Sequence, residues 1–431
     1  HPGIQPSTPP QPPSGDPRVF YASPGGATGG GFSTLAGSLK AARLTKHEVI
    51  THNTLEGLHT MHFDFDEVIN RRGHGSVKWD TVPEDVLPMF VADMDFRSSP
   101  PIIEAITAKM SHGVFGYGQD PEFPGVLVEW FRREYGLAVK EEWIVLLPAI
   151  VPVLAVVSRL REGRVMINTP NYHVLLAAPG KAGKRTILAP LKNTDEYYEM
   201  DFEDLRRRIE PDVRLFFLCN PHNPVGRVYK REELEKLSRF AQEHNLVVIS
   251  DEVHCGLVFD RPHIPYFSVD AYAASNSITI MGPGKTYNLA GLPFGFAVIP
   301  NDHLRQEFQR AGYALPHPGI LNVAAAKAAY SASGEWKAQL LTYLKGNRDY
   351  LENRLKSAFP ALRMTHVEGT YLQWLDFRPC GIERPYQWLQ DHPKILCNDG
   401  KPFGLDGYVR MNFGTTRDRL KEALHRLEHH Y

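Results

Sequence analysis

One lysine stands out among the residues that could carry chemistry, because its neighbours are small and apolar. Lys285 lies in MGPGKTYNLAGLPFG, residues 281–295, between Gly284 and Thr286. A poorly solvated lysine loses proton affinity and becomes an amine nucleophile that can form a Schiff base. The run SITIM before it predicts a strand, and the Gly-Pro-Gly triplet 282–284 predicts a sharp loop at that strand's end. The alternative is an ordinary solvated lysine in a turn.

Two earlier loops also follow apolar, strand-like runs and carry polar side chains. FFLCNPHNPVG places Asn220 and Asn223 between prolines, so the loop is rigid and offers Asn223 as a fixed donor. VVISDEVHCG ends a strand-like run at Asp251 and has His254 three residues later. A carboxylate at the end of an apolar strand is costly unless a cation or a protonated ring nitrogen pairs with it. Singly, these residues could be a turn asparagine, a helix N-cap and a core histidine; together with Lys285 they indicate a site.

Alternating strands and helices must position these side chains. The strand-like runs RVMINTP, RLFFLCNP, LVVISDE, SITIMG and FGFAVIP recur, with helical stretches such as REELEKLSRFAQEHN between several of them. This alternation predicts an α/β fold whose mostly parallel sheet is covered on both faces and binds ligands at its strand ends. Earlier, LPMFVADMDF predicts a buried strand and PPIIEAITAKMSHGVFGYG an amphipathic helix. Beyond Gln306, helical patterns followed by strand, strand and helix predict a small α+β lobe.

Composition and charge exclude several classes of function. A net charge of −1 gives no electrostatic footprint for nucleic acid or an anionic membrane, so neither partner is expected. No apolar run approaches the ~18 residues of a membrane span, and no secretory signal is visible. The four cysteines show no zinc-like spacing, so we expect no metal site. We predict that these cysteines are reduced and that the protein is cytoplasmic.

The first 45 residues have a different character. They are rich in proline, glycine and serine, as in PSTPPQPPSGDP and PGGATGGGFSTLAGS. Such a composition cannot bury enough apolar surface to order itself, so residues 1–45 are predicted to form a disordered linker. Because the chain begins with His1, we expect it to be a domain of a larger multienzyme. A processed N-terminus would look the same.

An ordered series of motifs gives the chain a family resemblance. NPHNPVG, DEVH, GKTYNLAGL and GYVRMNFG are similar, in this order, to the fold-type I pyridoxal-phosphate (PLP) enzymes of the class I/II aminotransferase group. FDFDEVINRRGHGSVKWD, PMFVADMDF, HGVFGYG and KGNRDYL resemble one branch, the cystathionine β-lyase-like (PatB-type) carbon–sulfur lyases. The resemblance runs from about His62 to Leu427. It implies an N-terminal arm with part of a small domain (residues 46–95), a large PLP-binding domain (96–315) and a C-terminal small domain (316–431).

The resemblance also implies roles for individual residues. Lys285 would bind the cofactor covalently, and Asp251 would pair with its pyridinium nitrogen. Arg410 would clamp the α-carboxylate of an amino-acid substrate in a bidentate pair. The remaining implied cofactor contacts are Asn223 and His254 near the phenolic oxygen, Tyr172 stacked on the ring, the backbone at Ala149, Ile150 and Val151 around the phosphate, and Tyr117 reaching the phosphate across a homodimer.

The chain departs from the family pattern at several of these positions. Gly282 and Gly284 occupy the places where family members commonly have phosphate-binding serines. Ala149 takes the place of the phosphate-loop glycine, and Phe90 that of a tryptophan. The two glycines remove hydroxyl donors, so we expect weaker cofactor binding with the same chemistry.

Three functions are compatible with these residues. The lyase-like motifs favour a PLP-dependent carbon–sulfur β-lyase that cleaves an L-cysteine S-conjugate to thiol, pyruvate and ammonia; the conjugate could be cystathionine-like, or larger and tethered to a synthase. An aminotransferase is the alternative, and its need for a keto-acid acceptor would identify it. A module that holds the cofactor without turnover is disfavoured, because lysine, aspartate and arginine are all retained and residues 1–60 show no DNA-binding pattern.

Overall fold

The computed structural model describes residues 61–118 and 120–431. The predicted linker, residues 1–45, and the first part of the predicted arm, residues 46–60, lie outside these ranges. None of the helices in the described ranges is long and apolar enough to cross a membrane.

The described residues form short strands and helices that alternate through the first two thirds of the chain. The strands are β1 Leu87–Pro88, β2 Ile144–Leu147, β3 Arg164–Thr169, β4 Thr186–Pro190, β5 Lys192–Thr194, β6 Tyr197–Glu199, β7 Val213–Cys219, β8 Val247–Asp251, β9 Ser277–Met281, β10 Gly295–Val298, β11 Arg363–Met364, β12 Leu372–Asp376, β13 Ile395–Leu396, β14 Asn398–Asp399 and β15 Tyr408–Asn412. The helices are α1 Val77–Asp80, α2 Pro100–His112, α3 Phe123–Tyr135, α4 Ile150–Ser158, α5 His173–Lys181, α6 Phe202–Arg208, α7 Arg231–Glu243, α8 Ala271–Ser275, α9 Asp302–Ala311, α10 Ile320–Ala332, α11 Gly334–Ala358, α12 Pro385–Asp391 and α13 Arg417–His430.

A seven-stranded sheet forms the centre of the molecule. Its strand order is β2-β10-β9-β8-β7-β3-β4, and β10 alone runs antiparallel to its neighbours. Alternate residues of β7 enter two different cores: Leu215 and Phe217 pack in one, Phe216 and Leu218 in the other. Both faces of the sheet are therefore buried, as its near-continuous apolar strands require. The prediction of an α/β fold with a mostly parallel sheet covered on both faces is confirmed.

A smaller α+β lobe follows. Four antiparallel strands pair in the order β11-β12-β15-β14. The long helix α11 packs against α13, and both contribute leucines to the core beside this sheet. The small lobe predicted beyond Gln306 is present. The proposed domain boundaries remain predictions.

Two local predictions are corrected, and one strand differs in direction from its neighbours. Within LPMFVADMDF only Leu87–Pro88 is a strand, because from Phe90 onward the carbonyl groups of Phe90, Val91 and Asp93 bond to side chains instead of a neighbouring strand. Helix α2 ends at His112, where Gly113 adopts a left-handed backbone conformation that caps the helix. Strand β10, in FGFAVIP, is the antiparallel strand of the mostly parallel sheet.

Candidate active site

Adjacent parallel strands bring the three predicted loops together. Strands β7, β8 and β9 are neighbours in the sheet and run in the same direction. Asn223 follows the end of β7, Asp251 is the last residue of β8, and Lys285 follows the end of β9. Because the carboxyl ends of parallel strands meet at one sheet edge, residues far apart in sequence line the same cavities.

Lys285 lies at the junction of two cavities. It lines both of them together with Tyr172, Asp251 and Val253. Its amine donates a hydrogen bond to the Ala92 carbonyl oxygen at 2.8 Å. Burial, together with the nearby Arg410 cation, lowers the pKa of Lys285 to about 8. The amine is therefore neutral far more often near pH 7 than that of an exposed lysine, as a nucleophile or base requires.

Asp251 is a buried carboxylate with little compensation. Within the described residues it forms no ion pair, and its Oδ1 accepts one long hydrogen bond, 3.3 Å, from the Val253 amide. Burial raises the pKa of Asp251 to about 6, against the opposing effects of that amide and the Lys285 cation. A buried carboxylate of this kind is costly on its own and is stabilised by a cation placed in the cavity.

Arg410 is a buried cation without a carboxylate partner in the described part of the chain. Its guanidinium donates to Asn223 Oδ1 at 3.0 Å, to the Phe90 carbonyl at 3.1 Å and to Asn398 Oδ1 at 2.6 Å. Its Nε is buried with no hydrogen-bond partner, and burial lowers the pKa of Arg410 to about 10. These neutral contacts fix the guanidinium but leave its charge unpaired, so it is ready to bind a carboxylate.

Two further predicted residues lie beside these groups. His254 is buried, its Nδ1 has no partner within the described residues, and burial lowers its pKa well below the usual value. Its imidazole is therefore neutral at pH 7. Tyr172 precedes α5 and lines both cavities. The cluster of Lys285, Asp251, Asn223, His254, Tyr172 and Arg410 predicted from the sequence is brought together.

The cavity between β9 and α4, hereafter the cofactor cavity, has a volume of about 210 Å³ and mostly apolar walls. Ala149, Ile150 and Val151 line it at the start of α4, where no side chain caps the helix. Free amide groups at a helix start favour an anion such as phosphate. Gly282 and Gly284 form another part of the wall, so no serine hydroxyl is present there.

The neighbouring cavity, hereafter the substrate cavity, has a volume of about 270 Å³, and its walls are more polar than those of the cofactor cavity. Asn223, His254 and Arg410 line it together with residues to which the sequence-based predictions gave no role in binding or catalysis. The added residues are Phe90, Val91, Ala92, His173, Cys219 and Asn398. The two cavities adjoin at Tyr172, Asp251, Val253 and Lys285, which line both of them.

Tyr117 is the predicted residue that does not join this cluster. It lies in the segment after α2, is fully exposed, and lines neither cavity in the single chain. Its expected action across a dimer stays a prediction.

Sequence reasoning missed the segment 90–96 as part of the site. Side chains hold its backbone: Asn412 donates to the carbonyls of Val91 and Asp93, and Asn288 bonds to both backbone groups of Met94. The density of acidic residues in VADMDF was a signal that this stretch was more than a strand. For Tyr371, which donates to the Ala92 carbonyl, the sequence offered no signal.

The residues present fit the expected cofactor. A lysine of low proton affinity, an unpaired buried carboxylate and an uncapped helix start surround one cavity. PLP needs these three kinds of group for its aldehyde, its ring nitrogen and its phosphate. The unpartnered Nδ1 of His254 is a further polar group that a ligand could satisfy.

Comparisons with known proteins agree with this fit. The family model of class I and II aminotransferases matches residues 84–427. Cystathionine beta-lyase PatB of Bacillus subtilis is 36% identical over 387 residues, which cover 85% of this chain and 99% of that protein. The crystal structure of OvoB has a TM-score of 0.82 at 38% identity, covering 85% of this chain and 98% of that one. The PLP-bound C-S lyase from Staphylococcus hominis has a TM-score of 0.79 at 28% identity, covering 86% and 98%.

These matches confirm the resemblance found in the motifs. The matched range includes Lys285, Asp251 and Arg410, and the match covers 99% of PatB. The chain therefore belongs to the class I and II aminotransferase family, as a PLP-dependent lyase of its cystathionine β-lyase-like branch.

Proposed function

We propose that the enzyme is a carbon–sulfur β-lyase that cleaves an L-cysteine S-conjugate. The observation that carries the proposal is the unpaired cation of Arg410 in the cavity that Lys285 and Asp251 also line. A cation for a carboxylate and an amine of low proton affinity for the α-carbon are what an α-amino acid requires. The names of the relatives PatB and the S. hominis C-S lyase support sulfur chemistry.

In this proposal each side chain has one task. Arg410 binds the α-carboxylate and sets the position of the substrate's Cα. The Lys285 amine, whose pKa is about 8, takes the Cα proton onto Nζ. When bound, PLP supplies an electron sink for the charge left at Cα. The Asp251 carboxylate, buried and otherwise unpaired, accepts a hydrogen bond from the protonated ring nitrogen and so maintains that sink.

The remaining residues orient the cofactor and shield it from water. Tyr172 would cover one face of the cofactor ring, and Asn223 and the neutral His254 would hold its phenolic oxygen. Backbone amides at Ala149, Ile150 and Val151 bind the phosphate. The C–S bond then breaks with its electron pair leaving on sulfur, and the three-carbon fragment takes up water to give pyruvate and ammonia.

A product assay tests the proposal. The protein is loaded with PLP and incubated with L-cystathionine, L-cysteine and a bulky S-substituted cysteine, without added keto acid. We expect pyruvate, ammonia and thiol in equal amounts from at least one thioether. Product formation that depends strictly on a keto acid would show an aminotransferase, which the same residues could also support. The rates for the three substrates report how large the thiol part can be.

We further propose that the enzyme is a homodimer whose sites include Tyr117 of the partner. The support is a set of exposed apolar side chains on α2 and the segment after it, where an isolated chain would expose them to water. These side chains are Ile103, Met110, Val114, Phe115 and Tyr117. A two-fold interface uses the same patch from both subunits.

Subunit exchange tests the shared site. Mixing inactive Lys285→Ala chains with Tyr117→Phe chains should form heterodimers with one intact site and restore activity. Heterodimers that form without restored activity would place Tyr117 outside the partner's site. Light scattering gives the oligomeric state, and an active monomer would contradict the proposal.

Two less direct proposals concern the setting of the enzyme. The four cysteines are unpaired, which supports a reducing compartment such as the cytoplasm. The linker-like composition of residues 1–45 supports action beside other domains of a multienzyme. Fractionation of the source cells and the mass of the natural polypeptide test these two proposals.

A further inference from the structure

Lys285 is held by a partner that the sequence does not reveal. Within the described residues, its amine makes one hydrogen bond, to the Ala92 carbonyl oxygen at 2.8 Å. The same oxygen accepts a second hydrogen bond from the Tyr371 hydroxyl at 2.9 Å. A carbonyl oxygen has two lone pairs, so it can accept both at once. Tyr371 is thereby linked to Lys285 through a single backbone atom.

The Ala92 carbonyl lies in a backbone that is fixed from both sides. The side-chain amide of Asn412 donates to the carbonyl of Val91 at 2.5 Å and to that of Asp93 at 2.7 Å. Arg410 donates to the carbonyl of Phe90. These contacts hold the neighbouring peptide groups, whereas the Ala92 carbonyl oxygen itself is bonded, among the described residues, by the Lys285 amine and the Tyr371 hydroxyl alone.

Tyr371 is suited to be a permanent donor to this carbonyl. Its ring is buried, and its hydroxyl makes no other hydrogen bond within the described residues. Burial, with a smaller effect of the Asp93 carboxylate, raises the pKa of Tyr371 far above its usual range. The hydroxyl therefore stays protonated near pH 7 and remains a donor.

We propose that Tyr371 is a positioning residue that fixes the Ala92 carbonyl as the resting place of the Lys285 amine whenever this amine is not bonded to the cofactor. The inference rests on the proposed role of Lys285. An amine donates to a carbonyl in either protonation state, and in the neutral state its lone pair points away from the carbonyl. The released lysine is thus held with its lone pair free to accept a proton.

Charged groups on several segments surround this resting place. Besides burial, the Arg410 cation lowers the pKa of Lys285, while the carboxylates of Asp93 and Asp251 act in the opposite direction. Tyr371 stays neutral and changes none of these charges. Its effect on Lys285 is therefore separable from theirs.

The resting place matters when an incoming amine displaces Lys285. In that exchange the double bond from the cofactor carbon to Nζ is replaced by one to the incoming nitrogen, and the two protons of the incoming amine end on Nζ. A hydrogen bond that stabilises the released lysine favours the exchange. Without the Tyr371 hydroxyl the Ala92 carbonyl can turn away from the released amine, so the equilibrium should shift back toward the lysine-bound form.

Tyr371→Phe removes the hydroxyl and keeps the buried ring. The exchange is followed by the visible absorption of the bound cofactor while the holoenzyme is titrated with methylamine and, separately, with L-alanine. For the variant we expect the half-saturating concentrations of both amines to rise about two- to threefold, which is part of the value of the neutral hydrogen bond between the released amine and the Ala92 carbonyl. Unchanged concentrations in Tyr371→Phe would overturn the proposal.

Two controls identify the cause of a change in the half-saturating amine concentration. Tyr266→Phe makes the same change at a buried tyrosine whose hydroxyl has no partner in the described residues, and it should behave as the wild type. Methylamine has no carboxylate, so a shift seen with L-alanine alone would indicate a disturbed Arg410 clamp and would overturn the proposal. Equal unfolding temperatures for the variants show that the fold is kept.

The titration is independent of the lyase reaction. A normal wild-type exchange without pyruvate from thioethers would contradict the proposed function and leave the role of Tyr371 intact. A wild-type protein whose absorption does not respond to either amine would contradict the role of Lys285 and, with it, this inference.

Discussion

The cofactor cavity and the substrate cavity meet at Lys285 and Asp251 but obtain their polar groups in different ways. The walls of the substrate cavity carry the side chains of Arg410, Asn223 and His254. The cofactor cavity has apolar or glycine walls, and its anion site is the uncapped backbone at the start of α4. A side-chain donor can be removed by substitution, whereas a backbone donor cannot. Substitutions in the substrate cavity should therefore weaken substrate binding, whereas a donor added to the cofactor cavity can strengthen PLP binding.

The largest effect is expected at Lys285, because both cavities depend on it. Lys285→Ala should abolish turnover and the visible absorption of the covalently bound cofactor. Absorption spectra and the pyruvate assay measure these two effects. No other lysine lines either cavity, so a variant that kept both properties would refute the assignment of the site.

Asp251→Asn should have the second largest effect, because Asp251 also lines both cavities and asparagine has nearly the same shape without the charge. Loss of the negative charge leaves the ring nitrogen without its partner, and we expect kcat to fall at least ~100-fold, the scale of losing a preorganised electrostatic group. The cofactor-free variant should unfold no earlier than the wild type, since burial already disfavours the charged form of Asp251. Near-normal kcat would mean that Asp251 only caps its strand.

Arg410→Lys acts on the substrate cavity alone. The guanidinium is held by Asn223, Phe90 and Asn398 together, and a single ammonium cannot keep these contacts and present a two-pronged donor to a carboxylate. We expect KM for the amino acid to rise roughly ten- to a hundredfold, the scale of a hydrogen bond to a charged group. The spectrum of the bound cofactor should not change. An unaltered KM would contradict the proposal that Arg410 binds the α-carboxylate of the substrate.

The sequence predicted those parts of the molecule that have a local pattern. Strands β7, β8 and β9 are apolar and end in polar loops. The sequence therefore predicted that they are strands and that Asn223, Asp251 and Lys285 lie together. The family resemblance placed Arg410, which belongs to the other lobe. Such a contact has no local signal because it joins distant segments.

The segment 90–96 shows why the rest was not predictable. Its apolar residues satisfy a strand pattern, yet its carbonyl groups bond to Arg410, Asn412, Tyr371 and Lys285 from elsewhere in the chain. Tertiary contacts therefore decide its conformation, and local propensity does not. The reversed direction of β10 is a second case, since a strand's own residues do not encode which way its neighbour runs.

The smallest predicted effect is a gain in the retention of PLP, and it directly tests the contrast between the two cavities. Gly284 lines the cofactor cavity, and a Cβ added there would meet no atom within 4 Å. Gly284→Ser should therefore be accommodated and should add a hydroxyl donor near the phosphate. A hydrogen bond to a charged group is offset in part by ordering the serine, so we expect about tenfold slower loss of PLP during dialysis.

Two matched variants separate the hydroxyl from the added carbon at this position. Gly284→Ala supplies the Cβ without the donor and should retain PLP as the wild type does. Gly282→Ser places its Cβ 2.8 Å from the Phe294 carbonyl oxygen, a backbone atom that cannot move aside easily, so it should not improve retention. Equal gains from Gly284→Ala and Gly284→Ser would mean that backbone stiffening is responsible. No gain from Gly284→Ser would show that the helix amides already satisfy the phosphate. The cofactor cavity would then need no further hydrogen-bond donor.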